Sequence, residues 1–152
     1  MQLRTLVVLA VAVVAGLWHF GGQHSSIAER SSRSASTQCQ TGSDAAIADA
    51  FAKGKSNLQV SGEGRVVRLL SDNEDGSRHQ RFIIALRFGQ TLLVAHNIDI
   101  APRIASLREG DVVRFSGVYE WNEKGGVIHW THRDPNGLHA GGWLSHNGQT
   151  YR

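Results

Sequence analysis

In its 152 residues the chain is 41% hydrophobic and 19% charged, with 16 Lys and Arg against 13 Asp and Glu for a net charge of +3. That length holds one domain of ordinary size, and the composition excludes a disordered chain. A duplex-binding protein needs several clustered phosphate contacts, whereas the basic residues here are scattered along the sequence, so nucleic acid is not an expected partner.

The first residues carry Arg4 and lead into an apolar run, residues 5–20, interrupted only by His19. As a helix this run reaches roughly 24 Å, slightly less than a hydrocarbon core of about 30 Å. Residues 1–20 therefore read as a signal peptide or a short signal anchor, with Trp18 and Phe20 where an interfacial aromatic belongs. Either alternative exports the rest of the chain to the periplasm, and the uncleaved form keeps the membrane as a partner. Residues 21–43 are rich in serine and read as a flexible tether. Cys39 lies in this tether and is the only cysteine, so no internal disulfide can form.

Residues 44–152 carry the fold. Ser43 suits an N-cap, and Asp44 suits the positive end of a helix. Ala45, Ala46, Ile47, Ala50 and Phe51 give that helix an apolar face, and Gly54 is its stop. Five stretches with strand character follow. The first, residues 59–70, holds Gly62 and Gly64, the mark of a bend or bulge. Asp75-Gly76 turns into residues 78–88, where Phe82, Ile84, Leu86 and Phe88 alternate with polar positions. Residues 91–95 form the third strand, and residues 97–110 read as a short helix or structured loop. In the fourth strand, residues 111–121, Val113, Phe115, Gly117, Tyr119 and Trp121 share a face. After a turn at residues 122–125 comes the fifth strand, residues 126–131, with Ile128 and Trp130 facing the core. Asn147-Gly148 marks a type I′ hairpin, with Trp143 and Tyr151 packing it onto the body.

Strand, strand, strand, connector, strand, hairpin, strand is the order of a five-stranded OB-like barrel. The fold class expected is thus mainly β, with a short N-terminal helix and a C-terminal hairpin tail; a β-sandwich or open meander is the alternative.

Chemistry-bearing residues concentrate late in the chain. Five of the eight histidines lie after residue 95: His96, His129, His132, His139 and His146. Neutral imidazole ligates transition metals, and a His–Asp pair can move protons. His129, His132, Asp134 and His139 are candidate metal ligands, with Asp134 either the fourth ligand or the acceptor that holds a ring, if the chain turns back through Asp134-Pro135-Asn136-Gly137, with zinc as the example. His129 and His132 point to opposite faces of a continuing strand, so convergence requires the strand to end near Thr131. His96, at the end of the third strand, and His146 are ligand-binding candidates. The plain alternative is that these imidazoles satisfy turn backbone groups. Residues 71–76 look like a calcium loop, but Phe82 stands where the bidentate Glu of an EF-hand would be. Arg78, Arg81 and Arg87 with Phe82 and Phe88 interleave charge and aromatic surface, although the phenylalanines follow the core alternation.

The runs Gln-Thr-Leu-Leu-Val-Ala-His-Asn-Ile-Asp (90–99), Ala-Pro-Arg-Ile (101–104), Tyr-Glu-Trp-Asn (119–122), Gly-Gly-Val-Ile-His-Trp-Thr-His (125–132) and Gly-Trp-Leu-Ser-His-Asn-Gly (142–148) together resemble a family of small exported bacterial proteins known as a domain of unknown function. The resemblance implies a bacterial origin and an envelope location, and no activity or site residues. The functional expectation is an envelope-associated binding module with a His-rich ligand or metal site. The alternative is a small metal-dependent hydrolase acting on phosphodiesters.

Overall fold

The computed structural model describes residues 43–73 and 75–152. The apolar run at residues 5–20, the serine-rich tether and Cys39 lie outside the described residues. Among those described, no helix is long and apolar enough to cross a membrane.

Helix α1 (residues 43–52) buries Ile47 and Ala50. It ends as the sequence expects: Gly54 takes φ 62°, Lys55 N donates to Ala50 O at 2.9 Å and Gly54 N to Phe51 O at 3.2 Å. These two bonds satisfy carbonyls that the last turn leaves open. Seven strands follow: β1 (Leu58–Leu69), β2 (His79–Ala85), β3 (Thr91–Asn97), β4 (Val112–Glu120), β5 (Val127–His129), β6 (Trp143–His146) and β7 (Gln149–Tyr151).

β1 belongs to both sides of the barrel. Its first eight residues pair with β4, from Leu58↔Tyr119 to Arg65↔Val112. Its remainder pairs with β2, with a register shift between Val66 and Arg68. β2 pairs with β3, β3 runs parallel to β5 at Leu93↔Val127 and Val94↔Ile128, and β5 returns antiparallel to β4. The ring β1-β2-β3-β5-β4-β1 is therefore a closed five-stranded barrel, and closure removes its open pairing edges. Beyond β5, the same edge of β4 takes β6, which carries β7.

The bend in β1 depends on the absence of side chains. A Cβ on Gly62 would stand 2.8 Å from Phe115 Cζ, and one on Gly64 would stand 2.9 Å from Ile84 Cβ. Phe115 and Ile84 fill that space instead and are fully buried, together with Phe82, Tyr119, Ile128 and Leu144.

The core differs from the sequence expectation at its margins. Phe82, Ile84 and Leu86 are buried, but Phe88 is 69% exposed. β2 stops at Ala85, and Leu86 N then bonds Gln90 O at 2.8 Å in a tight turn that carries Phe88 outward. Trp121 is likewise outside the barrel, stacked on Phe51 of α1 with ring centroids 6.5 Å apart. Trp130 is half-buried because β5 ends at His129 and Trp130 takes φ 52°. Residues 98–111 contain no helix. They plug one end of the barrel with Ile104 and Leu107, and the Gln80 amide holds them by bonding both Ile104 O and Ile104 N, at 3.0 and 2.9 Å. The hairpin turn at Asn147 (φ 50°) and Gly148 (φ 79°) is as expected. Tyr151 joins the core and Trp143 does not; Leu144 takes that inner position.

If β1 closes the barrel through its side-chain-free bend, Gly64→Ala should lower folding stability by about 1–3 kcal/mol, the usual cost of overpacking. Urea denaturation measures this. An unchanged midpoint would show that β1 does not need the space.

Candidate functional site

The histidines singled out from the sequence serve mainly as internal ties. His96 is fully buried. Its Nε2 lies 3.1 Å from Pro102 O, a pure acceptor, so Nε2 carries the proton. Nδ1 then accepts from the Thr131 hydroxyl at 2.8 Å. Burial, reinforced by the charges of His132 and His79, pushes its pKa down to about 4 against the opposing bonds to Pro102 and Thr131. His96 therefore stays neutral with both nitrogens used, leaving none for a ligand. The His146 side chain is 1% exposed, and its Nε2 donates to Asp111 Oδ2 at 2.8 Å, tying β6 to the start of β4. The backbone N–H of Arg108, followed by His146, holds the Asp111 carboxyl below its ordinary range. Both ligand candidates thus turn inward.

The proposed metal ligands meet around an indole. The Trp130 ring centroid lies 6.4 Å from His129, 5.4 Å from His132 and 4.4 Å from His139. His132 Nδ1 donates to Arg133 O at 2.7 Å. Burial lowers the pKa of His129 against the pull of Glu120, whose carboxylate is 3.7 Å from Nε2. The Asp134 oxygens accept backbone N–H groups from Asn136, Leu138 and His139 at 2.9, 2.6 and 2.8 Å. The turn does fold back as the sequence suggests, and Asp134 caps it through these backbone bonds. Among the described residues no group of three or more His, Cys, Asp or Glu is placed to hold a metal ion. A zinc site needs three or four such donors on one ion, so this arrangement does not make the expected centre.

Among the described residues a concavity lies elsewhere, in a groove of about 960 Å³ between Ser43 and Trp143. Residues directly opposed in a ladder share a face. The register therefore sets Ser61, Ser116 and Trp143 in one row, Glu63, Arg114, Ser145 and Thr150 in the next, and Arg65 with Val112 in a third. The inner row Gly62, Phe115, Leu144 and Tyr151 fills the core, so these three rows form the outer face of the sheet. Arg65, Arg87 and Arg114 are all exposed along the groove, against one lining carboxylate, Glu63. Arg65 is held in place by Nη1 donating to Gly110 O at 2.6 Å. Val112 supplies exposed apolar floor with Leu86 and the two glycines beneath it, and Trp143 supplies a half-buried aromatic wall. Asp44, beside Arg87, is buried; desolvation raises its pKa, partly offset by the Arg87 backbone N–H and charge. Guanidinium groups around an apolar floor suit an anion that also carries a flat or apolar part.

Of the arginines weighed from the sequence, only Arg87 reaches this groove. Arg78 instead bonds Asp99, and Arg81 bonds Ser71 O. Alternation alone places Arg65 and Arg114 on outward faces, but only the β1–β4 pairing reveals that they are neighbours.

A family model described as "Protein of unknown function (DUF3465)" matches residues 31–152. No curated protein matches the chain.

The His96 arrangement has a pH consequence. Its folded pKa of about 4 lies below the ordinary 6.5, so the folded state resists a proton that the unfolded state accepts. The stability involved is fully present above about pH 6.5 and lost as pH falls toward 4, in total roughly 3 kcal/mol. His129 acts in the same direction, so the comparison is with His96→Gln, which should show a shallower loss. Urea midpoints at neutral and mildly acidic pH measure it, and equal slopes for the two proteins would contradict the assignment.

Proposed function

The chain belongs to the DUF3465 family of proteins of unknown function, and on that footing we propose that it is an envelope-associated binding module that takes an anionic ligand in the groove beside Trp143. The carrying observation is the gathering of Arg65, Arg87 and Arg114 around one concavity with an apolar floor. A positively charged start followed by an apolar run supports export, with the membrane as a partner if the run is retained. In this reading the barrel is a rigid support, and specificity resides in side chains on its outer face. The histidines contribute by fixing the loop at residues 98–111 and the hairpin that bears Trp143. The hydrolase alternative gains no support from the groove, whose lining holds a single carboxylate and no imidazole.

Retention on immobilised heparin, a generic polyanion, tests this reading. The triple variant Arg65→Ala, Arg87→Ala, Arg114→Ala should elute at lower salt than the unaltered protein and bind about tenfold more weakly or worse. A control of equal net charge, Arg68→Ala, Arg108→Ala, Arg133→Ala, removes exposed arginines outside the groove and should elute later than the groove variant. Coincident elution of the two variants would show that only total charge matters.

A further inference from the structure

Resting on the reading that the groove takes an anionic ligand, we infer that this ligand is a single-stranded polynucleotide laid across the outer face of β2, β1, β4, β6 and β7. A second concavity of about 350 Å³, lined by Arg114, Trp143, Ser145, Thr150 and Arg152, shares Arg114 and Trp143 with the main groove. The two therefore adjoin at Arg114 and Trp143, and a chain crossing both would run from Arg87 to Arg152. The strands beneath it pair in the order β2-β1-β4-β6-β7. Four inter-strand steps of about 4.8 Å give a track of roughly 19 Å, the scale of the shorter single-strand sites, about four nucleotides, on OB barrels.

The chemistry along this track fits such a chain. Arg87, Arg65, Arg114 and Arg152 are exposed; Arg65 lies on β1 and Arg114 on β4, while Arg87 follows β2 and Arg152 follows β7. A guanidinium binds phosphate oxygens in pairs and also stacks on flat rings. Trp143 stands where the two concavities meet, and an aromatic face between cationic groups is what an unpaired base requires. Ser145 and Thr150 add neutral hydroxyls beside it. A duplex would hide its base faces and use only the charge. Scattering of the basic residues along the sequence argued against nucleic acid; the strand register brings Arg65 and Arg114 together, and Arg87 and Arg152 line the adjoining concavities. OB barrels commonly bind oligonucleotides through the β2–β3 face and the loop after β1. Here that loop carries Asp72 and Asp75, which repel phosphate. The appended hairpin instead widens a different face.

The experiment is fluorescence anisotropy of the purified full chain with a labelled oligodeoxythymidylate of about twelve nucleotides, repeated across a range of salt. A single strand engaging four arginines should give a slope of log K against log salt near −2.8, about −0.7 per phosphate. Arg65→Ala, Arg87→Ala, Arg114→Ala and Arg152→Ala should each flatten the slope by about 0.7. Trp143→Leu should weaken binding about 5- to 150-fold at unchanged slope, and Trp143→Phe should restore most of it. Trp143→Phe also guards against misreading a folding defect, because it keeps an aromatic ring in the same place. Tighter binding of the duplex of the same sequence would overturn the inference, as would slopes indifferent to the four arginines. Binding of heparin or hyaluronate without oligothymidylate would leave the anionic groove standing and refute the polynucleotide. Failure of all three probes would remove both.

Discussion

The coil of β1 is the constraint on which the rest of the molecule depends. One strand has to pair with β4 along its first part and with β2 along its second. It can do so only by passing very close to Phe115 and Ile84 at Gly62 and Gly64, where a Cβ would stand within 3 Å of each. The two glycines give up packing area, and in exchange large side chains from β2 and β4 reach the barrel axis. The same bend carries Ser61, Glu63 and Arg65 on its outer side, where they line the groove.

The C-terminal hairpin gives the concavity its aromatic wall. β6 uses the stretch of β4 edge that the short β5 leaves free, pairing Arg114 through Ser116 with Ser145 through Trp143. Leu144 and Tyr151 sink into the core, so Trp143 and Ser145 must face outward. The buried bond from His146 to Asp111 fixes the hairpin to the beginning of β4. Thus the two faces of a four-residue strand divide the labour: one adds to the hydrophobic core, the other adds an aromatic wall and hydroxyls beside Arg114.

Much of the fold was legible in the sequence, because period-two alternation at Phe82, Ile84 and Leu86 and the Asn147-Gly148 turn are local signals. Alternation failed at Phe88 and Trp121, where the chain leaves the strand before the pattern ends. It failed again at Trp130, whose left-handed φ no neighbouring residue announces. The candidate site was far less legible. Proximity in sequence drew attention to His129, His132 and His139, and they do gather, but around Trp130 and with Asp134 occupied by backbone N–H groups. Arg65, Arg87 and Arg114 are distant in sequence and become neighbours only through nonlocal strand pairing. The arginine groove is therefore a property of the closed barrel, which no short motif encodes.

The proposed ligand site is the outer face of β1, β4 and β6 rather than the histidine-rich turn. Nitrogen-15 NMR of the full chain, titrated with an anionic oligomer that binds, tests it most directly. Shifts are expected in the Trp143 indole N–H and in the backbone amides of residues 61–65, 112–115 and 143–145, with little change at residues 129–139. Shifts centred on residues 129–139, with the Trp143 indole unmoved, would contradict it.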